Sequence, residues 1–251
     1  MTDEPRLEEQ ALSQAVEMGL SSRLDDVENI NVDVQTDLLK MAQGKANSVS
    51  VEGRGLAMQK DIRVQEMELH ADNIAINLFD AIFGQIKLNH PVDATARVVL
   101  TEQDINRALG SDYIRSKFKT MELNADGQLV TLEPLQIEIH LPSDGKMEFS
   151  GQMLLHDVDK ARQIGFAAVI RPRTSSTPIL LEGFSCNPGE GISLELTIAL
   201  MEKLGELANL PYFDLQEFDL QGMAIRIKEM DVQAGSLTLY TEAYIKQIPN
   251  Q

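Results

Sequence analysis

Histidine is the side chain that most often performs acid–base chemistry or binds a transition metal, and this chain has four of them. His70, His90, His140 and His156 are scattered, and no two stand at the spacing that puts two metal ligands on one helix face. His70 and His140 occupy polar positions in alternating segments, which predicts that both face solvent. The histidines therefore predict neither a zinc site nor a catalytic site.

The sequence has no motif that would activate a nucleophile or cradle a phosphate group. CxxC, GxSxG, a GxGxxG after a strand and the P-loop are all missing, since Gly44-Lys45 and Gly145-Lys146 lack the glycine spacing and the following hydroxyl residue. Cys186 is the single cysteine and precedes a turn at residues 187–189, so it is predicted to be a small hydrophobic side chain. A lone cysteine cannot form an internal disulfide, which favours a reducing compartment.

Carboxylates are abundant, yet their spacing indicates no paired acid–base site. Asp157 and Asp159 resemble a fragment of a calcium loop, but the required glycine and the final glutamate are missing. Thr101 followed by Asp104 is typical of a helix N-cap, which also explains Glu102. The sequence thus predicts a non-catalytic protein with no metal site and no cofactor.

The charge balance excludes several classes of partner. Lys and Arg number 22 against 39 Asp and Glu, a formal net charge of -17, which repels a phosphate backbone and argues against nucleic-acid binding. The same field repels an anionic membrane, so membrane contact is expected to be transient, local and apolar. The sequence begins MTDEPRLEEQ, without the features of a secretory signal, and no window has the roughly 20 apolar residues of a membrane-spanning helix. These features favour a cytoplasmic location, peripheral to a membrane.

Alternation of apolar and polar residues dominates the chain and predicts about a dozen β-strands. The pattern is clearest near the C-terminus, where residues 223–232 and 237–245 alternate on either side of a turn at Ala234-Gly235. Asp144-Gly145 indicates a further hairpin with a type I′ turn. Successive side chains on a strand point to opposite faces, so a sheet of this kind has one apolar face that must be covered.

Three or four helices are predicted to cover that face. The first spans residues 6–24, with an apolar stripe at spacings of three and four that consists of Leu7, Ala11, Leu12, Ala15, Val16, Gly19 and Leu20. The others are a helix capped by Thr101 and stopped at Gly110, a short helix capped by Ser111, and a helix from about Thr197 to Ala208 that follows alternation at residues 192–196. Residues 37–42 are expected to form only a short helical turn. No shift in composition marks a linker, so a single domain over residues 1–251 is predicted.

Two segments resemble the LmeA-like phospholipid-binding family. LTEQDINRAL at residues 100–109 is similar to the helix that members of this family share, and LQGMAIRIKEMDVQAGSLTLYTEAYIKQIP is similar to their C-terminal hairpin. The resemblance covers nearly the whole chain. It implies an α+β fold like the tubular lipid-binding proteins, in which a highly curved antiparallel β-sheet wraps around a few helices. It also implies non-catalytic binding of phospholipid or glycolipid in an apolar groove, for transfer or presentation at a membrane.

On this resemblance, the inner sides of the helices and the strand face opposite them are expected to line the lipid groove. Each candidate also suits an ordinary core position: Leu12, Val16, Phe79, Phe83, Ile114, Phe118, Met201 and Leu204. The alternative function is an acidic protein–protein adaptor whose core is filled by its own helices and which binds a basic partner. A lipid-binding protein predicts an apolar cavity, whereas an adaptor predicts a packed interior and an apolar patch outside.

Overall fold

A computed structural model describes residues 7–22, 24–58, 61–77, 88–118, 120–125, 127–156, 161–186, 194–208, 213–214 and 222–246. The chain divides into two compact units. The first unit contains residues 1–99, 212–228 and 239–251, and the second contains residues 100–211 and 229–238. The protein is an α+β protein built mostly from antiparallel sheet, and one sheet is strongly curled into a half-barrel, as expected for this fold class.

Twelve strands are present among the described residues, in agreement with the number predicted. In chain order they are β1 (Asn29–Gln35), β2 (Lys45–Met58), β3 (Ile62–Ala75), β4 (Val92–Thr101), β5 (Met121–Ala125), β6 (Gln128–His140), β7 (Met147–His156), β8 (Ala161–Arg171), β9 (Leu180–Cys186), β10 (Phe213–Asp214), β11 (Met223–Gln233) and β12 (Ser236–Ile245). They form a seven-stranded sheet in the order β1-β2-β3-β4-β12-β11-β10 and a five-stranded sheet in the order β5-β6-β7-β8-β9.

The turns follow the sequence signals with one difference. Gly235 has φ of 76° between β11 and β12, so the predicted C-terminal hairpin is confirmed. The hairpin at Asp144-Gly145 also forms, but only Gly145 has a positive φ (77°), whereas a type I′ turn requires two such residues. The predicted two-residue turn is therefore wrong, and residues 141–146 form a longer connection between β6 and β7.

Five helices are present in the described part of the chain, slightly more than predicted. They are α1 (Leu7–Ser21), α2 (Leu38–Ala42), α3 (Glu102–Gly110), α4 (Asp112–Lys117) and α5 (Leu194–Ala208). The last helix begins earlier than expected, because Leu194 and Leu196 belong to it and not to an alternating segment. The spacing of Leu196 and Leu200 explains the difference, since it puts both side chains on the helix face that enters the core.

The core of the second unit lies between α5 and the five-stranded sheet. Leu196 and Leu200 are buried against side chains of β5, β6, β7 and β8, and the rings of Phe166 and Phe184 stack nearby at 6.5 Å. The most fully buried members are Leu132, Leu155 and Ile164. Alternating residues of the sheet therefore face a single helix, which gives this unit a packed interior.

Helices α3 and α4 lie beside the part of β6 that β5 does not cover. β5 pairs only with residues 128–132, so no strand among the described residues pairs with the later part of β6 on that side. Asn106 donates to the carbonyl of Ile139 and accepts from its N–H, both at 2.8 Å, as a neighbouring strand would. Glu102 accepts from the N–H of Leu141 at 2.7 Å. Side chains of a helix thus protect the exposed edge of the strand.

Candidate functional site

Helix α1 forms an apolar seam with the seven-stranded sheet, which we call the α1 seam. Leu12, Val16 and Leu20 follow one another at a spacing of four and therefore point to one side of the helix. They pack on the buried cluster of Val32, Val34 and Val51, against which the half-buried side chains of Ile30, Ala46, Val49, Met67 and Leu69 also pack. The structure thus brings together two of the predicted groove residues, Leu12 and Val16.

The apolar stripe predicted for α1 is narrower in the structure. Leu7, Ala11 and Ala15 were expected on the same stripe as Leu12 and Val16, but all three are exposed. The reason is that α1 has apolar residues on opposite sides, and only one side contacts the sheet. Spacing alone could not show which of the two sides would be buried.

Two polar side chains fix α1 to the edge of the sheet. β1 is the outermost strand, so some of its backbone N–H groups have no neighbouring strand to bind. The hydroxyl of Ser13 accepts from the N–H of Val34 at 3.0 Å, and the carboxylate of Glu9 accepts from the N–H of Thr36 at 3.1 Å. Both Val34 and Thr36 are buried. These two bonds set the position of the helix above the apolar cluster, and sequence reasoning did not identify them.

Half-burial is more extensive in the seam than in the core of the second unit: three of the described seam side chains are buried and eight are half-buried, whereas that core has eight buried and four half-buried side chains. The buried members of the seam come from β1 and β2, whereas the side chains of α1 and of β3 that pack on them keep part of their surface in contact with solvent. A closed core leaves little such surface on its large apolar side chains. The α1 seam therefore offers apolar surface that another apolar molecule could cover.

The other predicted groove residues lie elsewhere. Ile114 in α4 and Phe118 just after it are half-buried in the second unit. Met201 in α5 is 40% exposed, because the helix turns Leu196 and Leu200 towards the sheet instead. Phe79, Phe83 and the side chain of Leu204 lie outside the described residues. Their roles in a lipid groove remain predictions.

The opposite face of the seven-stranded sheet carries two adjoining open cavities of about 450 Å³ and 670 Å³, which share His70, Thr95 and Glu242. Arg97 contacts the carboxylate of Glu68 at 3.1 Å, and Lys228 contacts that of Glu242 at 3.0 Å. The cations that line the smaller cavity therefore already have carboxylate partners. Most residues that line the two cavities carry a polar or charged group, although most of the surface that they present to the cavities is apolar.

A serine, a histidine and an aspartate meet on this polar face. The hydroxyl of Ser50 lies 2.9 Å from Nδ1 of His70, and Nε2 of His70 lies 3.2 Å from Oδ1 of Asp72. The pairing of β2 with β3 puts Ser50 directly opposite His70, and Asp72 is two residues further along the same strand. Sequence reasoning missed this group because Ser50 and His70 are distant in sequence. The side chains of His70 and Asp72 are 50% and 66% exposed, so water competes for their hydrogen bonds.

The predicted solvent exposure of His70 and His140 is confirmed. Within the described residues, no group of three or more His, Cys, Asp or Glu side chains is arranged to hold a metal ion. Cys186 is half-buried, and this burial raises the pKa of its thiol and lowers its nucleophilicity at neutral pH. No described helix is long and apolar enough to cross a membrane.

Four polar residues of the segment LTEQDINRAL, at positions 101, 102, 104 and 106, have structural roles. The side chain of Thr101 accepts from the N–H of Asp104 at 3.1 Å, and its hydroxyl donates to the Asp104 carboxylate at 2.6 Å. Glu102 and Asn106 bind the edge of β6 as described above. The hydrogen bond from the Leu141 N–H, together with His140 at 3.1 Å, lowers the pKa of Glu102. These hydrogen bonds therefore cap α3 and hold it against β6.

Comparison with known proteins gives one match. The sequence model of the LmeA-like phospholipid-binding family matches residues 4–242, which is nearly the whole chain. No curated protein and no solved structure matches the chain. Because the family match extends from α1 into β12, and includes LTEQDINRAL and most of the C-terminal hairpin, the chain belongs to the LmeA-like phospholipid-binding family.

Proposed function

We propose that the protein binds a phospholipid without chemical conversion, for transfer or presentation at a membrane, and that the acyl chains lie in the α1 seam. The observation that carries this proposal is the half-burial of the apolar side chains of α1 and β3 that pack on the buried cluster of β1 and β2. Such surface gains free energy when further apolar atoms cover it. Membership of a phospholipid-binding family supports the same activity.

The dimensions of the seam suit a hydrocarbon chain. Leu12 and Leu20 are eight residues apart, which corresponds to about 12 Å along a helix axis. Burial of one methylene group contributes about 0.8 kcal/mol, so roughly ten groups along this length would contribute on the order of 8 kcal/mol before the cost of association is subtracted. A single covered chain is therefore enough for a complex that can also release its lipid.

The proposal extends to the other predicted features. Residues 1–251 act as one lipid-binding domain, and Ile114, Phe118, Phe79, Phe83, Met201 and Leu204 contact lipid as well as Leu12 and Val16. Glycolipids are accepted where the acyl chains alone determine binding. Met201→Asp tests the contribution of the second unit, because Met201 is partly exposed and its replacement leaves Leu196 and Leu200 in place.

The first experiment is organic extraction and mass spectrometry of protein purified without detergent. We expect phospholipid at a ratio close to one per chain, exchangeable with lipid from added vesicles. Identification of the extracted species distinguishes phospholipid from glycolipid. A protein that carries no lipid and takes up none would contradict the proposal and favour the acidic adaptor with a filled core.

Substitutions in α1 locate the site. Val16→Asp puts a charge into the seam, whereas Ala15→Asp puts the same charge on the adjacent exposed position of the same helix. Ala46→Met fills the seam with an apolar side chain and introduces no charge. We expect Val16→Asp and Ala46→Met to lose bound lipid and Ala15→Asp to keep it. If Ala46→Met folds and binds lipid like the wild type, the acyl chains do not lie in the α1 seam.

A lipid-ester hydrolase is a second candidate, favoured by the contact of Ser50 with His70 and Asp72. A nucleophile, a base and a carboxylate are the groups that such an enzyme requires. The side chains of His70 and Asp72 are exposed to water, which favours surface hydrogen bonding over ester hydrolysis. Lipid binding is therefore the better supported function. Ser50→Ala is expected to leave bound lipid intact and unhydrolysed, as in the wild type. Ester hydrolysis by the wild type that Ser50→Ala abolishes would establish the enzyme instead.

A further inference from the structure

Three leucines stand exposed where α1 begins and where α2 begins, and we call them the leucine edge. Leu7 is 83% exposed, Leu38 is 59% exposed and Leu39 is 71% exposed. Leu7 belongs to the first turn of α1, and the other two open α2. Leucine gains free energy when it leaves water, so such exposure in a group is unfavourable unless something covers it.

Two hydrogen bonds bring these separate segments to the same end of the first unit. Ser13 binds the N–H of Val34, and Glu9 binds the N–H of Thr36, so α1 runs antiparallel to β1. Between the two bonds, the four residues from Glu9 to Ser13 span about 6 Å of helix and the two residues from Val34 to Thr36 span about 6.6 Å of strand. Because these lengths are nearly equal, α1 and β1 lie alongside each other here. Leu7 lies two residues before Glu9, so it is close to the height along the sheet at which β1 ends and α2 begins.

Two lysines stand beside the leucine edge, together with two carboxylates, Asp37 and Glu9, that accept hydrogen bonds from backbone N–H groups. The ammonium groups of Lys40 and Lys45 contact the amide oxygens of Asn47 and Gln43, which carry no charge. The carboxylate of Asp37, in contrast, accepts from the backbone N–H of Lys40 at 2.8 Å and caps α2. Two exposed cations thus flank Leu38 and Leu39 in a chain whose formal net charge is -17.

We propose that the leucine edge docks on an anionic phospholipid bilayer, with Leu7, Leu38 and Leu39 in the apolar layer and Lys40 and Lys45 at the lipid phosphates. This proposal rests on the proposed lipid-binding function. Aliphatic side chains with lysines beside them match the two layers that a bilayer presents at its surface. Along α1, Leu7 lies little more than one helical turn before Leu12, the first residue of the α1 seam.

A bilayer fits the leucine edge better than a second copy of the chain does. The exposed parts of the three leucines amount to roughly 350 Å², whereas a stable protein interface buries about 800 Å² on each partner. A second copy would also bring its own -17 charge close to the first. A bilayer accepts a small apolar group without a matching shape, and its negative charge complements the two lysines.

The test compares Leu38→Gln/Leu39→Gln with Leu129→Gln in flotation with vesicles of phosphatidylglycerol and phosphatidylcholine at low salt. Leu129 is a matched control, because it is 69% exposed but belongs to β6 in the second unit. We expect the double variant to bind vesicles at least tenfold more weakly than the wild type, and Leu129→Gln to bind equally well. Lys40→Gln/Lys45→Gln is expected to weaken binding to these vesicles but not to vesicles of phosphatidylcholine alone. Equal unfolding temperatures show that the variants remain folded.

A second measurement separates this proposal from the function on which it rests. Binding of dihexanoylphosphatidylcholine below its micellar concentration uses the α1 seam without any bilayer, so the double leucine variant should bind it like the wild type. Failure of the wild type to bind this soluble lipid contradicts the proposed function. Vesicle binding that the double variant retains overturns the leucine edge as the docking surface. The docking surface is also overturned if the wild type does not bind vesicles. It is overturned as well if the wild type is a dimer and the double leucine variant is a monomer.

Discussion

Removal of the Ser13 hydroxyl tests whether α1 is held to the sheet edge by side-chain hydrogen bonds. In Ser13→Ala the N–H of Val34 loses its acceptor while Val34 remains buried. A buried donor without a partner costs about 1–3 kcal/mol. Water can reach this N–H only when α1 lifts from β1, so the cost lowers the free energy of local opening. A value of about 2 kcal/mol corresponds to roughly a 30-fold larger open population.

Hydrogen exchange followed by mass spectrometry measures this population directly. We expect peptides that contain residues 8–21 and 30–36 to lose about 30-fold in protection in Ser13→Ala, while peptides of the five-stranded sheet keep theirs. Gln14→Ala is the control, because Gln14 is exposed on the next position of the same helix. Glu9→Gln keeps an acceptor for the N–H of Thr36 and should stay protected, whereas Glu9→Ala should not. Unchanged protection of residues 30–36 in Ser13→Ala would refute the reasoning.

Three further predictions concern the second unit. Asn106→Leu removes both hydrogen bonds to Ile139 and is expected to lower the free energy of unfolding by roughly 2–3 kcal/mol in a denaturant titration. Gly151→Ala would place a methyl group against the carbonyl oxygen of Gln136, so we expect a loss of 1–3 kcal/mol or more and disrupted pairing of β6 with β7, detected by circular dichroism. The pKa of Glu102 lies below its usual 4.5, first because a strand N–H donates to the carboxylate and then because of a nearby histidine. The charged form of Glu102 therefore stabilises the fold fully above pH 4.5, and this contribution is lost as the pH falls through the lowered pKa. Thermal melts should show this loss of stability in the wild type but not in Glu102→Gln.

Each of these predictions has a matched control. Asn106→Asp keeps one acceptor for the Ile139 N–H and should cost less than Asn106→Leu. Gly183→Ala introduces the same methyl group where the nearest atoms lie 3.8 Å away, so it should be tolerated. Glu122→Gln changes an exposed carboxylate and should leave the acid limb of the stability curve as it is in the wild type. A Glu102→Gln variant with the same acid limb as the wild type would show that the carboxylate contributes nothing there.

Much of the fold was predictable because its signals are local. Alternation at residues 223–232 and 237–245 predicted β11 and β12. Among the described residues, Asn73 in β3 is the only one other than glycine with a positive φ, which is 53°. Thr101 with Asp104 predicted the start of α3, which the hydrogen bonds confirm. The first turn of α5 was not predicted, because Leu194 and Leu196 satisfy a period of two as well as they satisfy a helix.

The candidate site was predictable only in part. The spacing of Leu12 and Val16 correctly indicated an apolar side of α1, because four residues make about one helical turn. The polar residues that fix the helix, Ser13 and Glu9, gave no such signal. A polar side chain in a helix is normally solvated, and its partner here is a backbone N–H more than twenty residues away. Only the position of β1 at the sheet edge creates that partner.

The sequence by itself determined the secondary structure, the class of fold and the family, since periodicity, capping residues and the motif at residues 100–109 all act between near neighbours. The tertiary structure decided which side of α1 is buried, that Ser50 meets His70, and that Leu7 stands level with Leu38. Each of these follows from the pairing and order of strands. That order depends on which distant segments bury the most apolar surface together, a sum over the whole chain that no short stretch of sequence contains.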